Sequence, residues 1–584
     1  MAGKPRPSTP KETATTMIKR KRPAPAPDDD TPERASRHTL ALNPLINLRP
    51  EDFVQGAKAI LKAVAANPAI AGRQAGRFAG DLRKVIGGKS DKAPASGDKR
   101  FADKTWTASP LHRRLMQGYF AMGDAVGGFV EQTSLSDLDK SRAQLVTTML
   151  IDAVAPTNGL LTNPAALRQA LDTGGVSVWE GAKNFARDLA KNRGLPSQVD
   201  LTAFKVGENL ANTPGAVVFK NQLIEVIQYG SLSETVKQRP LVIVPPQINK
   251  YYAVDLSPDK SMVRYLLSSG IQTFCVSWRN PTAAERDWGL DTYVAALDEA
   301  IDAVCEITGS PDVTLMGSCS GGITAASYAA TLAARRQAKV KNIVLAVCVL
   351  NYQTMGDSTL GVLITPQTVA AAKKASSLRG VLDGHDLARM FAWMRPNDLI
   401  WNYWVNNYLM GNKPPAFDIL YWNADTTRLP ARLHADYLDF YFSNPFVNAG
   451  ALTLNGAAVD MGKVEADSYV VAGVTDHITP WKSVFQTAKI LGEKTTFILS
   501  NSGHLQSLLN PPTNPKASFS TGTIAHKDAD QFLADAERRG GSWWLHWREW
   551  LETRSRETVA APSRLGSDAH PATTPAPGTY VYEK

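Results

Sequence analysis

From about residue 221 onward, short apolar runs alternate with amphipathic helical segments, and this alternation constrains the fold more than any other feature of the sequence. Residues 241–244 and 271–276 are apolar runs bounded by turn residues, which predicts two central strands. Residues 290–304 then carry their apolar side chains on one face of a helix. Strands that alternate with helices in this way predict a parallel sheet covered by helices, which is the α/β class.

The same alternation continues toward the end of the chain. Further strands are predicted over residues 312–316, 341–350, 469–472 and 496–499, and a helix is predicted over residues 321–335. Each strand is short, apolar and bounded by turn residues. The sheet is therefore expected to have at least six strands, with one long interruption between the fourth and the fifth.

Five segments are predicted along the chain. Residues 1–38 are rich in Pro, Thr and charge with few large apolar side chains, so we expect them to be disordered. Residues 39–220 form an α-rich N-terminal domain, and residues 221–560 form an α/β catalytic domain. Within the latter, residues 352–445 are aromatic and rich in Asn and Pro, which predicts an inserted cap. Residues 561–584 return to Pro, Thr and Ser and are predicted to be a C-terminal tail.

Composition and charge argue against a nucleic-acid-binding protein. The chain of 584 residues is 43% hydrophobic and 20% charged, which is typical of a globular protein with a sizeable interior. Its net charge is +9, but residues 1–38 hold nine Lys or Arg against five Asp or Glu and so supply +4 of it. The basic cluster at residues 19–22 has no aromatic or helix-turn-helix context, so we interpret it as a solvated charge run.

The sequence also predicts a cytoplasmic protein without a membrane span. Its most apolar stretch, residues 343–350, is far shorter than the roughly 20 residues that a spanning helix needs. The first residues contain no apolar segment typical of a secretory signal. The four cysteines form no CxxC pair, which is typical of reduced thiols rather than of disulfides or a zinc site. We therefore expect no metal.

The strongest local motif is Gly-Ser-Cys-Ser-Gly at residues 317–321, where a predicted strand gives way to a helix. This strand-turn-helix context is that of a nucleophile elbow, with Cys319 in the place where hydrolases usually carry Ser. The flanking glycines permit the tight turn, and the positive helix end favours the thiolate. A buried structural cysteine beside a small-residue turn is the simpler alternative.

Asp476 and His504 complete a catalytic triad in the order that this fold uses, which is nucleophile, acid and base. Each of them follows a predicted strand. In parallel sheets, ligands and catalytic residues lie at this carboxyl end of the strands. His477 competes with His504 for the role of base, but we expect its side chain to point away from the direction that Asp476 faces. We therefore favour His504 and give His477 a supporting role. The ordered triple predicts an α/β-hydrolase fold.

The oxyanion hole is predicted to use two backbone N–H groups. One belongs to Ser320, the residue after the nucleophile. The other comes from the loop after the first central strand, residues 245–249, which read Pro-Pro-Gln-Ile-Asn. Because proline has no N–H, the donor must follow the second proline, and we nominate Ile248.

A cysteine nucleophile favours transfer over hydrolysis. Cysteine forms a thioester, whose acyl group stays nearly as activated as in an acyl-CoA, whereas serine forms a less reactive oxygen ester. The acyl group can then pass to an alcohol. Some hydrolases of this fold also use cysteine, so hydrolysis stays open at this point.

Many separate stretches make the chain resemble the polyhydroxyalkanoate synthases, most of all the class II members. The matching stretches, in order, are residues 42–46, 100–103, 155–158, 245–251, 276–281, 317–322, 393–409, 425–430, 476–481, 502–504 and 510–512. The resemblance covers nearly everything from about residue 40 to the end. So many motifs in the right order make a chance similarity very improbable.

This resemblance implies a reaction and a cellular setting. (R)-3-Hydroxyacyl-CoA units, of medium chain length and in some cases short, are joined into polyester with release of CoA, and no cofactor is needed. Cys319 carries the acyl group or growing chain, His504 activates its thiol, and Asp476 orients His504 or assists deprotonation of the attacking hydroxyl. The implied setting is the surface of a cytoplasmic granule, with phasin-type granule proteins as partners and a homodimer as the assembly.

The resemblance also singles out residues outside the triad. It implies that Arg395 lies near the CoA path, that Trp422 lies in the cap at or near a dimer contact, and that the N-terminal region touches the granule or a partner. Ordinary packing is the alternative for each. The chain departs from the family pattern in a longer N-terminal segment, in Cys348 where Ser is familiar, and in Asn351 where Asp is usual. The last two follow a predicted strand and bear on monomer preference.

Two other functions remain open at the level of sequence. A cysteine-dependent thioesterase or polyester depolymerase would share the fold and the triad. The large aromatic cap favours the synthase, because an acyl-cysteine must be protected from water until an alcohol arrives. An inactive scaffold protein of the granule surface is the alternative from another class, and the intact ordered triad argues against it.

Overall fold

The computed structural model describes most of the chain from residue 62 onward. The described residues are 62–96, 98–192, 195–355, 364, 366–384, 397–525 and 528–584. The segment predicted to be disordered, residues 1–38, lies outside them.

The described part of the N-terminal region is helical, as predicted. Its helices are α1 (Pro68–Ile86), α2 (Thr105–Ala108), α3 (Pro110–Gln132), α4 (Asp137–Ala153), α5 (Pro164–Asp172) and α6 (Val176–Lys191). The start of α5 shows how the sequence sets such a boundary. The side chain of Asn163 accepts hydrogen bonds from the N–H groups of Ala165 and Ala166. Pro164 occupies the first helical position, where no N–H is needed.

Most of the described strands belong to one large sheet. In chain order the strands are β1 (Gly215–Lys220), β2 (Ile224–Tyr229), β3 (Thr235–Val244), β4 (Ile271–Trp278), β5 (Val313–Ser318), β6 (Val340–Ala346), β7 (Val381–Leu382), β8 (Leu429–Pro430), β9 (Thr453–Leu454), β10 (Ala457–Ala458), β11 (Asp467–Gly473), β12 (Thr496–Ser500), β13 (Ser518–Gly522), β14 (Glu537–Gly540) and β15 (Thr558–Ala560). Two small pairs, β7 with β8 and β9 with β10, stand apart from it.

The centre of the large sheet is parallel. Across the described strands the order is β1-β2-β4-β3-β5-β6-β11-β12-β13-β14, and β15 pairs with β3. The strands from β4 to β12 in this order pair in parallel, and the pairs outside them are antiparallel. Every residue of β4 and β5 is buried, because helices cover both faces. This explains why the central strands read as continuous apolar runs, and it confirms the α/β class.

Helices cover both faces of the sheet and build the cap. They are α7 (Met262–Ser268), α8 (Leu290–Thr308), α9 (Ser320–Ala334), α10 (Pro366–Arg379), α11 (Asp418–Ala424), α12 (Ala431–Ser443), α13 (Trp481–Leu491), α14 (His504–Leu508), α15 (Ala529–Asp535) and α16 (Trp543–Glu552). One face packs against α8, α9 and α13, and the other packs against α7 and α16. The tryptophans of α16 pack in the interior, because Trp543 and Trp547 are fully buried.

The cap is inserted in the chain between β6 and β11. The N-terminal helices contact the cap. The described cap residues include α10, α11, α12 and two π-helical segments, Asn397–Trp401 and Trp404–Leu409. Helix α6 packs against the second of these segments. The Asn184 side chain donates to the carbonyl oxygen of Asn407 at 3.0 Å, and the Tyr408 hydroxyl donates to Asp188 at 2.7 Å.

The last 24 residues of the chain, 561–584, lie along the edge of the sheet. The N–H groups of Thr573 and Ala576 donate to carbonyl oxygens of β1 at 2.9 and 2.8 Å. Tyr580 and Val581 are buried. Residues 561–584 have the composition of a tail. Their position is fixed by the backbone hydrogen bonds to β1 and by the buried side chains of Tyr580 and Val581.

Candidate active site

Cys319 stands at a sharp turn between β5 and α9. Its backbone has a φ of 59° and a ψ of −127°, a conformation that L-residues rarely adopt. The turn is fixed on the sheet side, because the N–H of Cys319 donates to the carbonyl oxygen of Ala346 in the neighbouring strand at 3.0 Å. The strand-turn-helix geometry expected of a nucleophile elbow is present at Cys319.

Two glycines make this turn possible because the backbone approaches other atoms closely. A Cβ atom at Gly317 would lie 2.6 Å from the Cα of Gly322. A Cβ atom at Gly321 would lie 2.2 Å from the carbonyl oxygen of Val244. Neither distance is compatible with a side chain, so the motif needs glycine at both positions.

The structure brings the three predicted triad residues together. His504 begins α14, just after β12, and its Nε2 lies 3.4 Å from the Sγ of Cys319. Its Nδ1 lies 2.7 Å from Oδ2 of Asp476, which follows β11. All three side chains are buried, with exposed fractions of 4% for Cys319, 3% for His504 and 5% for Asp476. This geometry can relay a proton from a thiol to an imidazole that a carboxylate orients.

Thr479 is a fourth member of this cluster that the sequence analysis missed. Its hydroxyl donates to Oδ2 of Asp476 at 2.7 Å and lies 3.1 Å from Nδ1 of His504. Oδ1 of Asp476 accepts from the backbone N–H groups of Ile478 and Thr479 at 2.9 and 3.0 Å. The bond from the N–H of Ile478 is an Asx turn, which an Asp in a loop favours, but the sequence carries no signal that the Thr479 hydroxyl lies beside His504.

Burial decides the protonation of the thiol. Burial raises the pKa of the Cys319 thiol well above its ordinary value, and the nearby N–H of Ser320 only partly opposes this effect. The sequence predicts that the helix end favours the thiolate, but burial has the larger effect. Burial alone would also raise the pKa of the Asp476 carboxyl, yet the charge and hydrogen bonds of His504 and Thr479 lower it below its ordinary value. The thiol therefore needs a base, and His504, held by the Asp476 carboxylate, lies in position to act as one.

The loop after β3 lies directly against the elbow. The N–H of Gln247 donates to the Oγ of Ser320 at 3.3 Å, and the Gln247 side chain donates to Thr324 at 2.9 Å. The Tyr437 hydroxyl donates to Oε1 of Gln247 at 3.2 Å. Among the described residues, the N–H of Ile248 makes no backbone hydrogen bond, whereas its carbonyl oxygen accepts from the cap. Ser320 and Ile248 stay the two predicted donors for an oxyanion, and the loop that carries Ile248 lies against Ser320.

The two positions that depart from the family pattern differ in their distance from the elbow. Cys348 is fully buried against it, since a Cβ atom at Gly322 would lie 2.8 Å from the Cys348 sulfur. Asn351 instead forms a link to the cap, because its Oδ1 accepts from the side chain of Asn444 at 3.0 Å. The N–H of Tyr352 donates to the same Asn444 side chain at 2.9 Å.

The remaining predicted residues lie away from the thiol or outside the described chain. His477 is half-buried, and the ring that contacts Cys319 belongs to His504. Arg395 lies outside the described residues. Trp422 is 1% exposed, and its indole N–H donates to the carbonyl oxygen of Lys250 at 2.7 Å, so its side chain packs inside the chain.

Two further observations concern metals and membranes. In the part of the chain that the structure describes, no three or more His, Cys, Asp or Glu residues cluster as a metal site would require. None of the helices described has the length and apolar character needed to cross a bilayer.

Two family models match the chain. One is described as "Poly-beta-hydroxybutyrate polymerase (PhaC) N-terminus" and matches residues 97–266, and the other is described as "alpha/beta hydrolase fold" and matches residues 240–511. Together with the sheet order and the elbow, these matches define the chain as an α/β-hydrolase-fold enzyme with an added helical N-terminal region.

Curated relatives identify the family within this fold. Poly(3-hydroxyalkanoate) polymerase 1 of Ectopseudomonas oleovorans is 48% identical over 557 residues, which cover 95% of this chain and 99% of the relative. Polymerase 2 of the same organism is 46% identical, with coverage of 95% and 99%. The PhaC subunit of the polymerase of Cupriavidus necator is 36% identical, with coverage of 84% and 85%. The chain belongs to the poly(3-hydroxyalkanoate) polymerase family and is an acyltransferase.

Proposed function

We propose that this enzyme joins (R)-3-hydroxyacyl units, delivered as CoA thioesters, into polyester with release of CoA, and that Cys319 carries the acyl group. The observation that carries the proposal is the contact of the Cys319 sulfur with His504, which in turn contacts Asp476. The names of the relatives that match nearly the whole chain supply the class of product.

The first half-reaction acylates the cysteine. As the Cys319 sulfur attacks the thioester carbonyl, its proton passes to Nε2 of His504. The negative charge that develops on the carbonyl oxygen is stabilised by the N–H groups of Ser320 and Ile248. The tetrahedral intermediate then collapses, the bond to the CoA sulfur breaks, and CoA leaves as a thiol with the proton from His504. A base is needed here because burial raises the pKa of the Cys319 thiol.

The second half-reaction transfers the acyl group to an alcohol. The 3-hydroxyl of another unit attacks the acyl-Cys319 carbonyl, His504 accepts the hydroxyl proton, an ester bond forms and the thioester breaks. The proton returns to the Cys319 sulfur. Asp476 stabilises the imidazolium that exists between the two proton transfers, and we assign Thr479 to fixing that carboxylate.

Burial of the site favours transfer over hydrolysis. The exposed fractions of Cys319 and His504 are only 4% and 3%, and the cap residue Tyr437 contacts Gln247 in the loop beside the elbow. A thioester held there meets few water molecules, so it survives until a hydroxyl enters. A cysteine-dependent thioesterase or polyester depolymerase would need the same triad and an open path for water, and it is the second candidate.

Monomer preference and partners belong to the proposal as well. We assign medium-length acyl units as the preferred substrates on the resemblance to class II members, with short units as a further possibility to be measured. The granule surface, phasin-type proteins and a second copy of this chain are the partners proposed on the same basis. Because Trp422 is buried, a dimer contact in this part of the cap would use its neighbours rather than its ring.

The test is CoA release from purified protein supplied with (R)-3-hydroxydecanoyl-CoA, with analysis of the product. We expect free thiol together with insoluble polyester, and loss of both in Cys319→Ala. Cys305→Ala is the matched control, because Cys305 is a half-buried thiol on α8. Free hydroxy acid as the product would convert the assignment to a thioesterase. A Cys319→Ala protein that keeps its CoA release would remove Cys319 from the mechanism.

A further inference from the structure

Lys250 is a buried cation directly beyond the loop that carries Ile248. Only 3% of the residue is exposed. Its ammonium donates to the carbonyl oxygens of Glu583 and Tyr580 at 2.6 and 3.3 Å. Burial lowers the pKa of Lys250 to about 8, against the opposing effect of Asp425. Burying an ammonium group costs free energy unless the group is hydrogen-bonded. The hydrogen bonds to these two carbonyl groups offset that cost.

The segment that offers these carbonyl groups is itself fixed to the sheet. The buried carboxylate of Glu225 accepts from the N–H groups of Thr579 and Tyr580, both at 2.9 Å. The N–H of Asn280, which follows β4, donates to the Glu583 carboxylate at 3.1 Å. The two carbonyl oxygens that Lys250 contacts are therefore anchored to two strands of the sheet.

The cap holds the same loop from its other side. The Thr427 hydroxyl donates to the carbonyl oxygen of Gln247 at 2.6 Å, and its N–H donates to that of Ile248 at 3.0 Å. The indole of Trp422 donates to the carbonyl oxygen of Lys250 at 2.7 Å. The loop is thus clamped between cap residues and residues 580–584, with Lys250 as the link to the latter.

We propose that Lys250 and the carbonyl groups of Tyr580 and Glu583 form a positioning device that holds the N–H of Ile248 where the oxyanion develops. This inference rests on the proposed acyl transfer at Cys319. An oxyanion donor contributes only within a few tenths of an ångström of its productive position, so a loop freed on one side loses stabilisation of the transition state. The device acts on acyl chemistry and leaves the thiol and His504 untouched.

Two reactions of the Cys319 sulfur distinguish an effect on the oxyanion donor from an effect on the sulfur itself. Acyl transfer from (R)-3-hydroxydecanoyl-CoA passes through a tetrahedral oxyanion. Alkylation of Cys319 by iodoacetamide displaces iodide at a saturated carbon and forms no oxyanion. In Lys250→Met we expect kcat for CoA release to fall about 10- to 100-fold, while the alkylation rate stays within about twofold of the unaltered protein.

A second variant and a matched control complete the test. A chain that lacks residues 580–584 is expected to lose acyl transfer to a similar extent, and the combination with Lys250→Met to lose no more, because both remove the same clamp. Lys260→Met is the control. Its ammonium contacts Asp418 of the cap at 2.8 Å but not the loop, so its kcat is expected to stay within about threefold.

The outcomes are distinct for this inference and for the proposed function. Full acyl transfer in Lys250→Met would overturn the inference, and so would parallel losses of acyl transfer and alkylation, which would mean a general structural role. Strictly multiplicative losses in the combined variant would also contradict a shared clamp. If the unaltered protein alkylates at Cys319 but releases no CoA, the proposed function itself fails.

Discussion

The two sides of Cys319 are held in different ways. On the triad side, Asp476, Thr479 and His504 lie within 28 positions of one another and follow two adjacent strands. On the oxyanion side, the loop around Ile248 is fixed by groups 172 to 333 positions away, namely side chains of the cap and a backbone carbonyl group near the end of the chain. Local turns thus hold the acid and the base beside each other, whereas the loop that carries the Ile248 donor depends on distant segments.

The triad and the loop around Ile248 therefore depend on different parts of the fold. The contacts of Asp476 with Thr479 and His504 join residues that follow two adjacent strands of the sheet. The oxyanion loop shares hydrogen bonds with the cap, so its geometry follows the position of the cap. If the proposed oxyanion role of Ile248 holds, we expect acyl transfer to depend on the position of the cap.

The largest effect is expected on the triad side, from Asp476→Asn. The change keeps the size of the side chain but removes the charge that orients His504 and stabilises its imidazolium. We expect kcat for CoA release to fall about 10³- to 10⁴-fold, as in other triads that lose this charge. Steady-state CoA release at pH 7 measures it. A loss of less than about tenfold would mean that Asp476 does not support His504 in this way.

On the oxyanion side we expect a smaller loss from Gln247→Leu. This change removes the side-chain bonds to Thr324 and Tyr437 and leaves those groups buried without Gln247 as a partner. The predicted loss of kcat is about 10- to 100-fold. Alkylation of Cys319 by iodoacetamide should stay near that of the unaltered protein. Equal losses in both reactions would remove the contrast between the two sides.

Thr479→Val tests a single hydrogen bond on the triad side, and its expected effect is smaller. The hydroxyl that bonds Asp476 is replaced by a methyl group of similar size. We expect a loss of about 3- to 10-fold in kcat, which corresponds to the net contribution of about 0.5–1.5 kcal/mol from one ordinary hydrogen bond. Thr479→Ser keeps the hydroxyl and should retain most of the activity. If the serine and valine variants are equally slow, the methyl group rather than the hydroxyl is what matters.

The smallest expected effect concerns the pH dependence of stability. His504 and Thr479 lower the pKa of Asp476 below its ordinary value of 3.8 despite burial. A carboxyl with a lowered pKa in the folded state stabilises the fold above about pH 4, and this contribution is lost as the pH falls through the folded pKa. Thermal unfolding of the unaltered protein should therefore lose more stability between pH 6 and pH 3 than Asp476→Asn does.

A surface carboxylate provides the control for that comparison. Asp568 has an exposed side chain, with an exposed fraction of 92%, and pairs only with Arg564 nearby on the surface. Asp568→Asn should follow the unaltered protein across the same pH range, because exposed pairs contribute little. If Asp476→Asn also followed it, the linkage between Asp476 and folding would be absent.

Much of the sheet and the triad could be predicted because their signals are local. The strand predicted over residues 469–472 is Asp467–Gly473, and that over residues 496–499 is Thr496–Ser500. A buried parallel strand must be apolar on both faces, so it can be recognised in the sequence as a continuous apolar run. The polar residues that follow such strands meet at one edge of the sheet, and this brought Asp476 and His504 together with Cys319.

The sequence by itself therefore determined the α/β class, the central strands and the elbow, and it predicted the three residues that the structure brings together. Only the tertiary structure decided how burial raises the pKa of the Cys319 thiol, how Trp422 packs inside the chain, and how Lys250 meets the carbonyl groups of residues 580–584. The physical reason is the range of the interactions. Periodicity and turn chemistry act over a few residues, whereas burial and main-chain hydrogen bonds between distant segments exist only once the chain is folded.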